Sequence, residues 1–258
     1  MIGEVYRRAF AASVVDLVSC DRGVRSTNDP EPVHDARVAL RRLRSDLHTF
    51  RPILDSHWAD SLRQRMRWLD DCLGKARDLD VLIEVLEKRA AEASSNGAPS
   101  TERLEPLRAE REERHAELHA ALREPRYVSL LEDIVGAARA PQLTGAADGP
   151  AHKKARKLMR KVWGRARRRV REHERSPSER TLHQVRMKAK HVRYAAECFG
   201  PLAGKRVKKL ARRAECLQTL LGDHRDAMAA AAHMHAEPPP EPDWKRMWKK
   251  MKRAYARL

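Results

Sequence analysis

Residues 33–50 read VHDARVALRRLRSDLHTF, and residues 182–199 read LHQVRMKAKHVRYAAECF. A shift of 149 positions aligns the two stretches so that a histidine, three basic residues and a phenylalanine coincide. The coinciding pairs are His34 with His183, Arg37 with Arg186, Arg41 with Lys190, Arg44 with Arg193 and Phe50 with Phe199. The chain therefore carries the same basic segment twice.

Both copies have the spacing of an amphipathic helix. At about 100° per residue, Arg37, Arg41 and Arg44 lie within about 80° of His34 on one side of the first helix. The opposite side of each helix is apolar, and its residues are Leu40, Leu43, Leu47 and Phe50 in the first copy and Val185, Ala189, Val192, Ala196 and Phe199 in the second. We predict that each helix buries the apolar side and presents a basic row about 15 Å long.

The composition favours a polyanionic partner. The 258 residues include 54 Lys+Arg and 36 Asp+Glu, which gives a formal net charge of +18. Such an excess suits nucleic acid, inorganic polyphosphate or an anionic membrane surface, and charge alone does not choose among them. Aromatic residues are only 5% of the chain, which argues against single-strand binding by base stacking.

Cysteine usage and hydropathy bear on the compartment. The four cysteines are widely spaced, without a C-x-x-C pair, which favours a reducing compartment over a disulfide framework or a zinc site. The first 20 residues resemble an amphipathic helix more than a signal peptide, and no apolar run is long enough to span a membrane. A cytoplasmic location is therefore expected.

Leucine, alanine, arginine and glutamate dominate at helical spacing, and no alternating segment persists, so the predicted fold class is all-α. Proline ends the first basic helix near Arg51-Pro52, and Ser176 or Ser178 is a candidate cap of the second. The predicted helices cover about 3–20, 33–50, 61–93, 102–123, 127–138, 152–173, 182–199, 200–236 and 244–258, with a loop at 21–32 and a linker at 94–101.

A second repeated block supports an internal duplication. Residues 73–78 (LGKARD) align with 221–226 (LGDHRD) at a shift of 148, in the same order as the basic helices. We predict two antiparallel helical bundles related by pseudo-twofold symmetry, with a first repeat at about 1–139, a linker at about 140–151 and a second repeat at about 152–258. The two basic rows would then face each other across a central groove or pore.

Anion binding competes with the simpler interpretation that each basic row is a solvated helix face. Arg37, Arg41 and Arg44 crowd like charges on one side, and the opposite charges that would offset them at i+4 are largely missing. Arginine supplies a planar fork of donors that matches phosphate oxygens, and lysine supplies a mobile point charge. The rows therefore indicate anion binding.

Other motifs point to structure rather than catalysis. Neither His34 nor His183 has a second ligand at i+4, so no metal site is predicted, and either histidine could simply pair with a neighbouring carboxylate. In the L-G-x-x-R-D blocks, ion pairing with a neighbouring helix is favoured over direct ligand contact. Nucleophile elbows, Walker loops and dinucleotide-binding turns are absent from the sequence, and we expect a binding protein rather than an enzyme.

The motif H-x-x-R-x-x-x-R-x-x-R followed by L-G-x-x-R-D, present twice, closely resembles the CHAD (conserved histidine α-helical domain) family over nearly the whole chain. The resemblance implies one helical domain over 1–258, whose basic central groove or pore binds inorganic polyphosphate without a cofactor. The E-x-E-x-K motif of the triphosphate-tunnel domain that precedes many members is absent, so its hydrolase activity is not transferred.

The resemblance also implies the ligand set. Carried over by position, the phosphate-binding residues are His34, Arg37, Arg41 and Arg44 with His183, Arg186, Lys190 and Arg193, and Arg42, Lys157 and Arg160 are further candidates at the rim. The implied partner is polyphosphate, with intracellular polyphosphate granules as a candidate location. The alternatives are a general polyanion or nucleic-acid binder, or an enzyme that processes polyphosphate.

Overall fold

The computed structural model describes residues 1–93 and 104–258, and these ranges are helical with short connections and no strands. The predicted all-α class is confirmed. The predicted linker at 94–101 lies outside the described residues. The internal duplication and the central groove stay predictions from the sequence.

Among the described residues before position 140, five segments form α-helices. They are α1 (Ile2–Ser26), α2 (Pro30–Phe50), α3 (Ser56–Ala93), α4 (Glu105–Arg123) and α5 (Pro125–Arg139). The loop predicted at 21–32 is too long, because α1 continues through Ser26 and α2 begins at Pro30, which leaves only 27–29 as the connection. Asp29 caps α2 by accepting a hydrogen bond from the Glu31 amide, and a proline is tolerated in the first turn because its missing N–H has no helical partner there.

Three helices follow a connection that contains a short 3-10 turn at Gly145–Asp148. They are α6 (Ala151–Arg175), α7 (Glu179–His233) and α8 (Trp244–Tyr255). Ser178 caps α7 and exchanges hydrogen bonds with Thr181, which confirms one of the two predicted cap residues. The two helices predicted at 182–199 and 200–236 are separated by a break within α7, where Gly204 has a φ of 64° and a ψ of −149°, outside the helical range, shortly after Pro201.

The predicted apolar stripes are buried. Leu40, Leu43 and Leu47 of α2 and Val192 and Ala196 of α7 are all fully buried. These side chains join the same hydrophobic core as the residues that α1 and α6 supply. Removing this surface from water is the main force that fixes the orientation of α2 and α7.

The carboxyl-terminal end of α2 meets α7 shortly before the break at Gly204. The rings of Phe50 and Phe199 lie 5.5 Å apart in an edge-to-face arrangement. Beside them the Cys198 thiol donates to Asp46, 3.1 Å away, and complete burial raises the pKa of the Asp46 carboxyl to about 7. These contacts hold the two basic helices next to each other.

Candidate anion-binding site

Five cations from α2 and α7 form what we call the basic cluster: Arg37, Arg41, Arg186, Lys190 and Arg225. Lys190 is its most buried member, with only 4% of its surface exposed. Burial and the charges of the four arginines lower the pKa of Lys190 to about 6. Within the described ranges Lys190 has no hydrogen bond or ion pair, so the cluster concentrates positive charge around a lysine that has no carboxylate partner.

Two arginines of the basic cluster, Arg37 and Arg186, lie in surroundings that disfavour their charged forms. Burial, followed by the charge of Arg225, lowers the pKa of Arg186 to about 10, and burial likewise lowers the pKa of Arg37. The Nε atoms of Arg37 and Arg186 are buried without an acceptor from the protein. A buried donor that lacks an acceptor destabilises the fold, and the surrounding like charges add to that cost.

The L-G-x-x-R-D blocks support these arginines from α3 and α7. Arg37 donates to the Gly74 carbonyl and to Asp78, both at 3.1 Å, which agrees with the predicted ion pairing between neighbouring helices. A Cβ atom at Gly74 would lie 3.4 Å from the Arg37 guanidinium, and one at Gly222 would lie 3.6 Å from that of Arg186. A methyl group at either glycine would only touch the guanidinium, whereas a larger side chain would compete for its place.

The two predicted histidines differ in their surroundings. His34 lies exposed on the first turns of α2. His183 lines a cavity of about 360 Å³ together with Arg186, His224 and Arg225. Partial burial and the charges of Arg186, Arg225 and Lys190 lower the pKa of His183. His183 therefore borders the basic cluster directly.

Three predicted cations have carboxylate partners instead. Arg44 forms an ion pair with Asp70 of α3. Arg193 binds Glu197 at 2.7 Å and Glu215 at 2.9 Å, and Arg42 lies 3.6 Å from both Asp16 and Glu197. Arg37 and Arg225 of the basic cluster also contact carboxylates, and the Nε atoms of Arg42 and Arg44 are likewise buried without an acceptor. The residue that sets the basic cluster apart is therefore Lys190, which has no carboxylate partner in the described ranges.

Lys157 and Arg160 lie on a different surface. They line a cavity of about 880 Å³ between α6, α7 and the end of α8, together with Met159, Phe199 and Leu202. The cavity walls are largely apolar, and no member of the basic cluster lines them. The structure therefore does not bring these two rim candidates to the basic cluster.

The sequence model of the CHAD domain matches residues 8–235, most of the chain. The chain belongs to the CHAD domain family. An uncharacterised protein of Mycobacterium tuberculosis strain H37Rv, Rv2226, is 30% identical over 241 residues, which cover 88% of this chain and 44% of that protein. This CHAD domain thus spans less than half the length of the curated relatives that it matches.

Two solved structures share the fold of this CHAD domain. The CHAD domain from the plant Ricinus communis superposes with a TM-score of 0.72 at 24% identity, over all of this chain and 86% of the other. PptA from Streptomyces chartreusis gives the same TM-score at 20% identity, over 99% of each chain. CHAD domains as a family have polyphosphate-related roles.

The described residues of this CHAD domain were compared with the patterns of metal sites and of membrane-spanning helices. Within residues 1–93 and 104–258, no three His, Cys, Asp or Glu side chains are grouped so that they could hold a metal ion. In the same ranges no helix combines the length and apolar character needed to cross a membrane.

Arg225 belongs to the basic cluster, although the L-G-x-x-R-D block in which it lies predicts a structural ion pair for it. Its charge lowers the pKa of Arg37, Arg186 and Lys190, although it also lies 2.7 Å from Asp226. The signal that could have identified it is its position three residues after Gly222, the glycine on which Arg186 lies.

Proposed function

We propose that this CHAD domain binds inorganic polyphosphate at the basic cluster without chemically altering it. The observation that carries the proposal is Lys190, a buried lysine surrounded by four arginines and without a carboxylate partner. A phosphate chain would supply the missing negative charge and would offer acceptors to the buried Nε atoms of Arg37 and Arg186. The polyphosphate-related roles of the family support the same ligand.

Inorganic polyphosphate suits the cluster because it carries about one negative charge per phosphate unit along a thin chain. A single chain can therefore approach cations from both α2 and α7, whereas an isolated phosphate would approach only some of them. His183, at the neighbouring cavity, is placed to donate to a further phosphate oxygen. Binding would release counterions from the chain, so we expect affinity to fall steeply with salt, as it does for DNA.

A competition assay tests the ligand class. Labelled long-chain polyphosphate is bound at physiological salt and challenged with short oligophosphate, single-stranded RNA and duplex DNA at equal total charge. We expect the phosphate chains to displace the label at least about 10-fold more effectively than either nucleic acid, because the cluster lies partly buried between helices. Equal competition by RNA would instead favour a general polyanion surface.

Enzymatic processing of polyphosphate is the competing proposal. On the binding proposal, purified protein supplied with Mg²⁺ or Mn²⁺ releases no phosphate from polyphosphate above a buffer control. Sustained phosphate release that disappears in the Arg37→Ala/Arg186→Ala variant would overturn the non-enzymatic assignment. A binder of this kind is expected to associate with polyphosphate granules, which fluorescence microscopy of a tagged protein would test.

Gly222→Leu is expected to weaken polyphosphate binding about 10-fold although it changes no charge. The leucine side chain would occupy the space in which the Arg186 guanidinium lies, 3.6 Å from the position of a Cβ atom at Gly222. Leucine also favours helix more than glycine does, so loss of helix would not explain the result. Gly136→Leu on α5, where nothing lies within 4 Å, is the matched control and should bind normally.

A further inference from the structure

A second group of basic side chains lies on one flank of the contact between α2 and α7. The rings of His48 on α2 and His191 on α7 are 5.6 Å apart. Arg165 of α6 approaches them, with its Nη1 atom 2.6 Å from His48 Nε2. Since a guanidinium only donates, His48 must accept through Nε2 and is therefore neutral in this arrangement.

The charges around the two rings are predominantly positive. Burial, followed by neighbouring cations, lowers the pKa of His48 to about 4 and that of His191 to about 3. The charged groups that face the rings or Lys188 are Arg63 and Asp60 of α3, Arg165, Arg168 and Arg169 of α6, and Lys188 of α7. Asp60 binds Arg51 and Arg63, whereas Arg165 and Lys188 have no carboxylate partner in the described parts of the chain.

On the opposite flank of the contact between α2 and α7, the positive charge has carboxylate partners. There Arg42 lies 3.6 Å from Asp16 of α1 and 3.6 Å from Glu197 of α7. The 149-residue shift that aligns the basic helices places Asp16 on Arg165, Arg42 on His191 and His48 on Glu197. Two carboxylates and an arginine on one flank therefore correspond to an arginine and two histidines on the other.

We propose that His48, His191, Arg165 and Lys188 form a second oxyanion site that takes one phosphate group or a pyrophosphate. Lining the site with carboxylates, as on the opposite flank, would have satisfied these cations internally. Arg165 is exposed and can present its remaining N–H groups to phosphate oxygens, while Lys188 adds a point charge. A bound anion can also accept from the ring N–H groups, with His48 donating through Nδ1 while its Nε2 accepts from Arg165.

This site is separate from the basic cluster. His48 follows Arg41 by seven residues, which is about 10 Å along α2. On α7, His191 follows Lys190 directly and Lys188 precedes it by two residues, so there the two places differ by direction around the helix. The proposal does not depend on long-chain polyphosphate being the ligand of the basic cluster.

Calorimetric titration with pyrophosphate at low salt tests the second site. We expect the parent protein to bind pyrophosphate at two places, and the Arg37→Ala/Arg186→Ala variant to retain the one at His48. Arg165→Asp should weaken that remaining binding at least about 10-fold, because it replaces the exposed donor by a carboxylate. Arg171→Asp, an exposed position on the same helix, makes the same charge change and should leave binding intact.

A triple variant tests whether the weaker binding of Arg165→Asp results only from the change of one charge. His48→Glu, His191→Arg and Arg165→Asp together reproduce the side chains of the balanced flank, so the helix contact should persist while pyrophosphate binding at this place is lost. A parent protein with one site that disappears in Arg37→Ala/Arg186→Ala overturns the second site and leaves the proposed function standing. Unchanged pyrophosphate binding in both Arg165→Asp and the triple variant would also overturn the second site.

Discussion

The Arg37→Ala/Arg186→Ala variant is expected to bind long-chain polyphosphate about 100-fold more weakly than the parent protein at physiological salt. Each substitution removes a partly buried guanidinium whose Nε lacks a protein acceptor, and a charge-assisted hydrogen bond contributes roughly 1.5–3 kcal/mol. The slope of log affinity against log salt should become shallower by about two, one for each lost cation. Fluorescence anisotropy at several salt concentrations measures both quantities.

The matched control for this variant is Arg246→Ala/Arg253→Ala, which removes two exposed arginines from α8. Its affinity should fall only slightly, because exposed charges far from the ligand are screened by salt. The fold of Arg37→Ala/Arg186→Ala should persist, since the substitutions relieve like-charge crowding, and circular dichroism would verify this. Equal losses in the two double variants would show that net charge alone governs binding, which contradicts the site assignment.

Polyphosphate binding near pH 7.5 is expected to be accompanied by uptake of about one proton. The pKa of Lys190 is about 6 in the free protein, so this lysine is mostly neutral at that pH. A bound phosphate chain favours the charged form and raises its pKa. Affinity should therefore rise as the pH falls from about 8 towards 6, and level off below 6 where Lys190 is already charged.

Titration calorimetry in two buffers of different ionisation enthalpy measures the number of protons taken up. Lys190→Met should abolish the uptake and weaken binding about 10-fold or more, because it removes the buried cation. It should also raise the free energy of unfolding by about 2 kcal/mol, since a buried lysine without a partner destabilises the fold. If proton uptake persists unchanged in Lys190→Met, another group carries it.

The lowered pKa of Lys190 also predicts how the stability of the free protein depends on pH. Between about pH 6 and the ordinary lysine pKa of 10.5, the unfolded chain binds a proton at Lys190 that the folded chain does not. The free energy of unfolding should therefore rise with pH across this window, and Lys190→Met should flatten the rise. Denaturant unfolding at several pH values between 6 and 9 would measure it.

Much of the fold could be predicted because helix periodicity is a local property. The apolar stripe of α2 at Leu40, Leu43 and Leu47 is fully buried as expected, and Ser178 caps α7 where the sequence offered a serine. The predicted start of α2 is three residues too late, because Asp29 and Pro30 form the cap and the first turn of the helix and not a loop. The break between the helices predicted at 182–199 and 200–236 lies at Gly204, a few residues after the predicted boundary.

Residue spacing is enough to predict which side chains lie on each basic row, because the face of a helix follows from it. Which of those charges have partners depends on contacts between helices, which spacing does not reveal. Carboxylates of other helices or other turns pair with Arg42, Arg44 and Arg193, whereas Lys190 is buried among arginines alone. The physical reason is that the strength of a charge depends on burial and on partners distant in the sequence, and packing rather than periodicity sets both.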